Sequence, residues 1–425
     1  VFVKIFWLSL LLAKSLPSSA ATYSRDVAPI LDRHCVQCHR AGEVGPFPLD
    51  TYEAARKHAR QIALAASTRF MPPFKPVPPS LTFHRERRMS SIEIRTLQAW
   101  ASTGAPRGIK TSIPSRPAAP PPPPSETWRM LSPYDLPADG PDQYRCFVIP
   151  TQLKDARYID AFEFLPGNRR VVHHALMFFD LSGAARKLDA ESDGPGYPCF
   201  GTPGFLPTSS LGGWSPGNGL LQMPPGTAIK APAGADLVFQ IHYHFTGKPE
   251  SDTSAVAVRY SEKPPQKKLL DIPLTSKAID IPAGQSRYEV TDYFELPVDI
   301  TLWQIIPHAH FIAREVRAWA TPPGGLRKPL LTITDWDFNW QDIYQLKTPL
   351  HLKAGTLLEM QVRYDNSDAN ARNPNRPPQR VLWGPGTTDE MAGVHFNVTV
   401  DNEARDLEDL THSLWGKMIR AIRQR

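Results

Sequence analysis

Two rhythms of apolar residues divide this chain. Over residues 26–104 they recur at helical spacing, whereas from Trp128 to about residue 400 they fall in short β-type runs separated by Pro, Gly, Asn and Asp. Val27, Ile30 and Leu31 share one helical face, which predicts a helix over 26–34 with Asp26 as cap and Pro29 in the first turn, where its missing N–H costs nothing. An Ala-rich stretch predicts a second helix over 51–66. Ser90 and Glu93 form a capping box for a third, which stops at Gly104. The clearest strand spans 237–245: Leu237, Phe239, Ile241, Tyr243 and Phe245 point one way, and Val238, Gln240, His242 and His244 the other. Similar runs lie at 161–164, 171–179, 301–312, 357–364 and 393–400. So many strands with long connections and no intervening helices predict two β-sandwiches of jelly-roll type. The expected fold class is multidomain, a small all-α domain followed by all-β tandem jelly-roll sandwiches. Residues 407–425 read as a basic amphipathic tail helix.

Composition sharpens this division. A chain of 425 residues has room for two or three cores, and 41% hydrophobic with 21% charged residues reads as globular. Forty-five prolines favour loops, edges and β structure over helix. The net charge of +6 comes without a basic tract interleaved with aromatics, so nucleic acid is a poor partner. At the amino terminus Lys4, an apolar run over 5–13 and the small residues Ser18, Ser19, Ala20 and Ala21 predict a secretory signal peptide over 1–20. The run is too short for a stable membrane span, although Lys14 leaves a retained anchor as the alternative. A polyproline stretch over 114–124 marks a linker at 111–127. The expected domains are thus a helical one at 22–110 and sandwiches at 128–268 and 269–425, the last including the tail.

Chemistry enters at Cys35-Val36-Gln37-Cys38-His39, the attachment signature of a c-type haem. Cys35 and Cys38 would hold one haem covalently and His39 would be the proximal iron ligand. A zinc half-site is the alternative, but no second CxxC completes it. Met71, followed by Pro72 and Pro73, is the expected sixth ligand; the other readings are a core methionine, or His58 or His84 in its place. This domain resembles bacterial class I cytochromes c, and His/Met ligation implies outer-sphere electron transfer at a relatively high potential. Haem attachment of this kind agrees with export, so a periplasmic or secreted bacterial location is expected. Cys146 and Cys199 remain, and in an oxidising compartment two such cysteines most simply form a disulfide.

In the β region histidines cluster as His173-His174, His242 with His244, His308 with His310, and His395 near Met391. His308 and His310, two apart on a strand, share a face and can grip one ion. Adjacent His173 and His174 can do so only at a strand end or a bulge, and otherwise one is a spacer. Single histidines on strands are usually structural, but three pairs in β context are harder to dismiss. Imidazoles suit copper or zinc, and the thioether of Met391 favours Cu(I), so the set points to copper and redox chemistry.

The stretches Val172-His173-His174-Ala175-Leu176-Met177, Gln240-Ile241-His242-Tyr243-His244, His308-Ala309-His310 and Thr387-Thr388-Asp389-Glu390-Met391 resemble, in this order, those of the copper type II ascorbate-dependent monooxygenases, the peptidylglycine and dopamine β-hydroxylating enzymes. The resemblance covers roughly 128–400. It implies two coppers, an electron-storing one on His173, His174 and His242 and an oxygen-activating, catalytic one on His308, His310 and Met391, with Gln240 as a polar neighbour of the first. The implied reaction inserts one atom of O2 into a C–H bond of a small organic substrate and reduces the other to water with two external electrons. Ile306 stands where peptide-amidating members carry a carboxylate-binding arginine, and His395 where they carry a tyrosine, so glycine-extended peptides are doubtful substrates. The tethered haem is expected to refill the coppers from an external electron donor. The competing readings are a haem and copper electron-transfer protein without oxygenase activity, and a binding module with structural histidines.

Overall fold

The computed structural model describes residues 20–41, 43, 45–109, 123–199, 202–384, 386 and 388–423. The signal-peptide stretch over 1–19 and the core of the Pro-rich linker, 110–122, lie outside these residues. The chain divides into a helical unit, holding Pro46–Pro72 with the described parts of Val1–Ala41 and Arg88–Arg116, and a β-rich unit that also takes in Pro73–Arg87.

In the helical unit a π-turn over Tyr23–Val27 runs into α1, Ala28–His34. The chain thus turns helical before Asp26, which is not the cap. Its carboxylate instead accepts from the Thr22 N–H at 2.7 Å, satisfying one of the donors a helix start leaves open. The predicted second helix is broken at His58 into α2, Tyr52–Lys57, and α3, Ala59–Ser67. The last, α4, Ser91–Ser102, carries the expected capping box, and Gly104 beyond it adopts φ 84°, a conformation that favours glycine. Val27, Leu31, Leu97 and Trp100 are buried between these helices.

The β-rich unit contains two antiparallel sandwiches. In the first, one sheet runs Tyr197–Pro198, β1 (Gln143–Pro150), β3 (Asp236–Tyr243), β2 (Val172–Asp180) and Ser209–Trp214. Its partner sheet is built around Ala255–Tyr260 and Arg157–Leu165. Phe164 and Val256 meet Met177 and Phe239 in the core between them. In the second sandwich β4 (Leu270–Ser276), β6 (Ala392–Val400), β5 (Ile300–Ala309) and Tyr344–Leu352 form one sheet. The other is made of Tyr288–Glu295, Leu357–Tyr364, Ala313–Thr321 and Lys328–Ile333. Cys146 on β1 is bonded to Cys199.

Three local expectations need correction. β3 is buried along its whole length, because residues such as Cys146, Ala185 and Cys199 pack around Val238 on its second face; Phe245 and His244 lie beyond its end. A short helix, Ala184–Ala190, interrupts the β region, where none was expected. Pro73–Arg87, expected in the helical domain, is strapped to the second sandwich: Val77 N–H donates to Thr332 O at 2.8 Å and His84 N–H to Gln345 O at 2.8 Å, while Phe83 enters the core. The tail helix spans Glu403–Arg423 and buries Leu410 against the same sandwich. None of the described helices is long and apolar enough to cross a membrane.

Candidate metal centres

His173, His174 and His242 come together on the outer face of the β1–β3–β2 sheet. The register explains how neighbouring histidines share that face. His242 pairs with His174 but Tyr243 pairs with Val172, so His173 is the extra residue of a bulge. Three Nδ1 atoms then meet: His173 to His174 at 3.2 Å, His173 to His242 at 3.1 Å and His174 to His242 at 3.2 Å. Each Nδ1 carries either a hydrogen or a lone pair, so at least two of the three are alike, and at least one contact sets like against like. Asp142 decides one of them: His242 Nε2–H donates to its carboxylate at 2.8 Å, which leaves a lone pair on Nδ1. A cation held by three lone pairs resolves the conflict. Three nitrogens each about 2.0–2.1 Å from one ion would lie roughly 3.3–3.6 Å apart, close to the spacing seen. Burial, followed by the charge of His242, pushes His173 down to about 4, and burial moves His174 in the same direction, so both rings are neutral at pH 7. Tyr144 stacks flat on His242 at 4.2 Å. Gln240 is buried on the same face, and its Nε2 has no hydrogen-bond partner.

The second set forms at one end of the β5–β6 ladder. His308 pairs with Gly393 and Ala309 with Ala392, which puts His310 and Met391 just past the same end. His308 Nδ1–H donates to Gln341 Oε1 at 2.6 Å and His310 Nδ1–H to Asp389 O at 3.0 Å, so both rings keep an Nε2 lone pair. Their centroids lie 5.2 Å apart. Burial, then His310, pushes His308 down to about 4, and burial also lowers His310. The buried Glu390 accepts from the N–H groups of His310 and Ile312, each at 2.8 Å, and pins the turn that carries His310; burial raises its carboxyl to about 8. The loop that supplies Gln341 also places the Asn339 side chain on His173. Both histidine sets therefore touch one loop.

In the helical unit the Cys38 and His39 N–H groups donate to Cys35 O at 3.1 and 2.9 Å, winding the CxxCH stretch into a tight turn after α1. Cys35 and Cys38 share no disulfide, and burial with the neighbouring Cys38 lifts the Cys35 thiol to about 12. His39 Nδ1–H donates to Phe47 O at 3.0 Å, leaving Nε2 as the nitrogen that can ligate a metal. Phe47 stacks on His58 at 3.8 Å. Met71 follows α3, half-buried, with its N–H on Ala65 O at 3.1 Å. His84 belongs to the β-rich unit.

No family model matches the chain. No curated protein does either. Among solved structures, the major capsid protein P2 from bacteriophage PM2 aligns over 65% of this chain and 97% of its own at 9% identity, with a TM-score of 0.26. A structure from Sulfolobus turreted icosahedral virus aligns over 71% and 96% at 10% identity, with a TM-score of 0.25. At these scores neither bears on fold or chemistry.

The residues that orient the histidines, Asp142, Gln341, Asn339, Asp389 and Glu390, escaped sequence reasoning except as the acidic pair before Met391. His244, outside the cluster, donates from Nδ1 to Asp142 at 3.1 Å. His395 donates from Nδ1 to Asp271 at 2.7 Å. Asp299, His351 and Asp401 also converge, but the Lys353 ammonium sits 3.0 Å from Asp299, where a cation would compete with it.

Proposed function

We propose that the chain is an exported, copper-dependent monooxygenase that hydroxylates a C–H bond of a small organic substrate with O2, drawing electrons through a tethered c-type haem. The convergence of three imidazole nitrogens at a bulge, in an arrangement their own hydrogens cannot satisfy, carries this reading. On it, the sandwiches are tandem jelly rolls and the helical unit is a class I cytochrome c domain. His173, His174 and His242 hold one copper through Nδ1, and His308, His310 and Met391 hold the other. Bound there, the two coppers would each supply one electron, and the second would activate O2; haem on Cys35, Cys38 and His39, with Met71 as sixth ligand, would supply a one-electron store. The protein's own part is orientation. Asp142 fixes the tautomer of His242, Gln341 that of His308, and the Asp389 carbonyl that of His310. Glu390 holds the turn of His310 rigid, and burial disfavours protonation of His173, His174, His308 and His310, so these rings need not lose a proton before metal enters. The Cys146–Cys199 disulfide suits an oxidising compartment and supports export.

The competing reading is a haem and copper electron carrier without oxygenase chemistry. Rapid mixing of the fully reduced chain with O2 and a panel of small organic molecules separates the two. An oxygenase reoxidises its haem together with product formation, and only when copper is loaded. Haem oxidation at the same rate in the copper-free chain, with no product, would overturn the proposal.

A further inference from the structure

We infer that Lys75 and Arg87, on the strap Pro73–Arg87, are positioning residues for both metal centres: they clamp the two ends of the loop over 335–343, from which one side chain reaches each histidine set. The inference rests on the oxygenase reading and adds to it the residues that hold the supports of its two coppers. The loop lies between the strands Lys328–Ile333 and Tyr344–Leu352 and is itself neither helix nor strand. Backbone pairing therefore does not fix it, and side chains must. Its Asn339 meets His173, and its Gln341 Oε1 accepts from His308 Nδ1–H at 2.6 Å. Its Phe338 ring stands edge-on to His310, the centroids 5.7 Å apart.

Each orienting side chain is close in sequence to a carboxylate that the strap holds. Asp337, two residues before Asn339, accepts from the Asn339 N–H and from its Nδ2, both at 3.1 Å. The other oxygen of Asp337 lies 3.6 Å from the Lys75 ammonium, which also donates to Asp335 at 3.1 Å. Lys75 is 9% exposed and Asp337 6%, so this pair is shielded from water and salt. At the other end Arg87 donates from Nη2 to Asp342, next to Gln341, at 2.7 Å and to Pro73 O at 3.1 Å, which closes the strap on itself. The side chains of Arg87 and Asp342 are also mostly buried. Backbone bonds at Val77 and His84 already attach the strap, and buried ion pairs add little net stability over apolar contacts. Attachment alone does not explain why the charges stand beside the two orienting side chains. Asp335 keeps Arg372 at 2.8 Å if Lys75 is removed, whereas Asp337 loses the cation that faces it, so the Asn339 end should respond through Asp337.

The test is copper affinity, by competition with a chromophoric chelator, together with the Cu(II) EPR spectrum of the full-length chain; His174→Ala and Met391→Ile assign the signal of each site. Lys75→Gln should weaken the three-histidine site, and Arg87→Gln the His308 site, each about tenfold or more, the scale of losing a support behind a metal ligand. The EPR spectrum of the affected site should change and the haem spectrum should not. Arg87→Lys, which keeps a cation for Asp342, should restore the parent affinity. Should a single variant fail to fold because it strands a buried carboxylate, Arg87→Met with Asp342→Leu removes both charges and still takes away the clamp. It should show the same loss at the His308 site. Parent affinities and spectra at both sites in these variants, whatever their melting temperatures, would overturn the inference and leave the oxygenase reading standing. A parent chain that takes up no copper would overturn both.

Discussion

Asp142 decides which nitrogen of His242 faces the other two rings. Replacing it with Asn keeps the shape but weakens the preference for hydrogen on Nε2. We expect Asp142→Asn to lower copper affinity at the three-histidine site about 10- to 100-fold, read by competition with a chromophoric chelator. Met391→Ile should act on the other site alone: Cu(I) retention there should fall while the haem spectrum and the first copper persist. A loss of both coppers would contradict the assignment of Met391. Protonation offers a further check on the metal-free protein. In the unfolded chain His173 titrates near its ordinary value, whereas the folded ring is pushed down to about 4, first by burial. Between these values the unfolded state binds the extra proton, so the His173 contribution to stability is full above about pH 6.5 and falls as pH drops toward 4. The melting temperature should be lower at pH 5 than at pH 7.5, and His173→Ala should reduce that difference. The variant comparison isolates His173, because Glu390, raised to about 8, has the opposite slope between roughly 4.5 and 8.

Among the elements, the strands most legible in the sequence were those with strict alternation, such as β3, whose Leu237, Phe239, Ile241 and Tyr243 all enter the core. The bulge at His173 was legible only as a condition, since register depends on which residue of β2 faces Tyr243, and that is set by pairing across 68 residues or more. For the same reason Asp142, 100 residues from His242, gave no local signal. The break at His58 and the early start at Tyr23 show how periodicity locates a helix better than it locates its ends. The disulfide joins β1 to the residue just after Tyr197–Pro198 across a separation of 53 residues. Closing a loop of that length contributes about 4 kcal/mol by the chain-entropy account. Cys146→Ser with Cys199→Ser should lower stability by that order in denaturant titration; an unchanged midpoint would show that the bridge constrains little.

For the molecule as a whole, the division into helical and β-rich units was readable from the change of period near Trp128, because burial on a helix face and on a strand face leaves different spacings. The assignment of Pro73–Arg87 was not readable. Its bonds to Thr332 and Gln345 are backbone to backbone and leave little trace in side-chain type, and its prolines read equally well as part of a haem loop. The histidine sets were legible where their members stand close in sequence, and their supports were opaque where they come from distant loops, as with Gln341 and Asn339. On the proposed function, histidines dispersed along the β region form two copper sites in a chain that also carries haem. The decisive measurement is copper and haem per chain on the purified full-length protein and on His174→Ala and Met391→Ile. Two coppers and one haem are expected in the parent, with one copper lost in each variant and the haem retained. Copper content that is absent from the parent, or unchanged in both variants, would contradict that proposal.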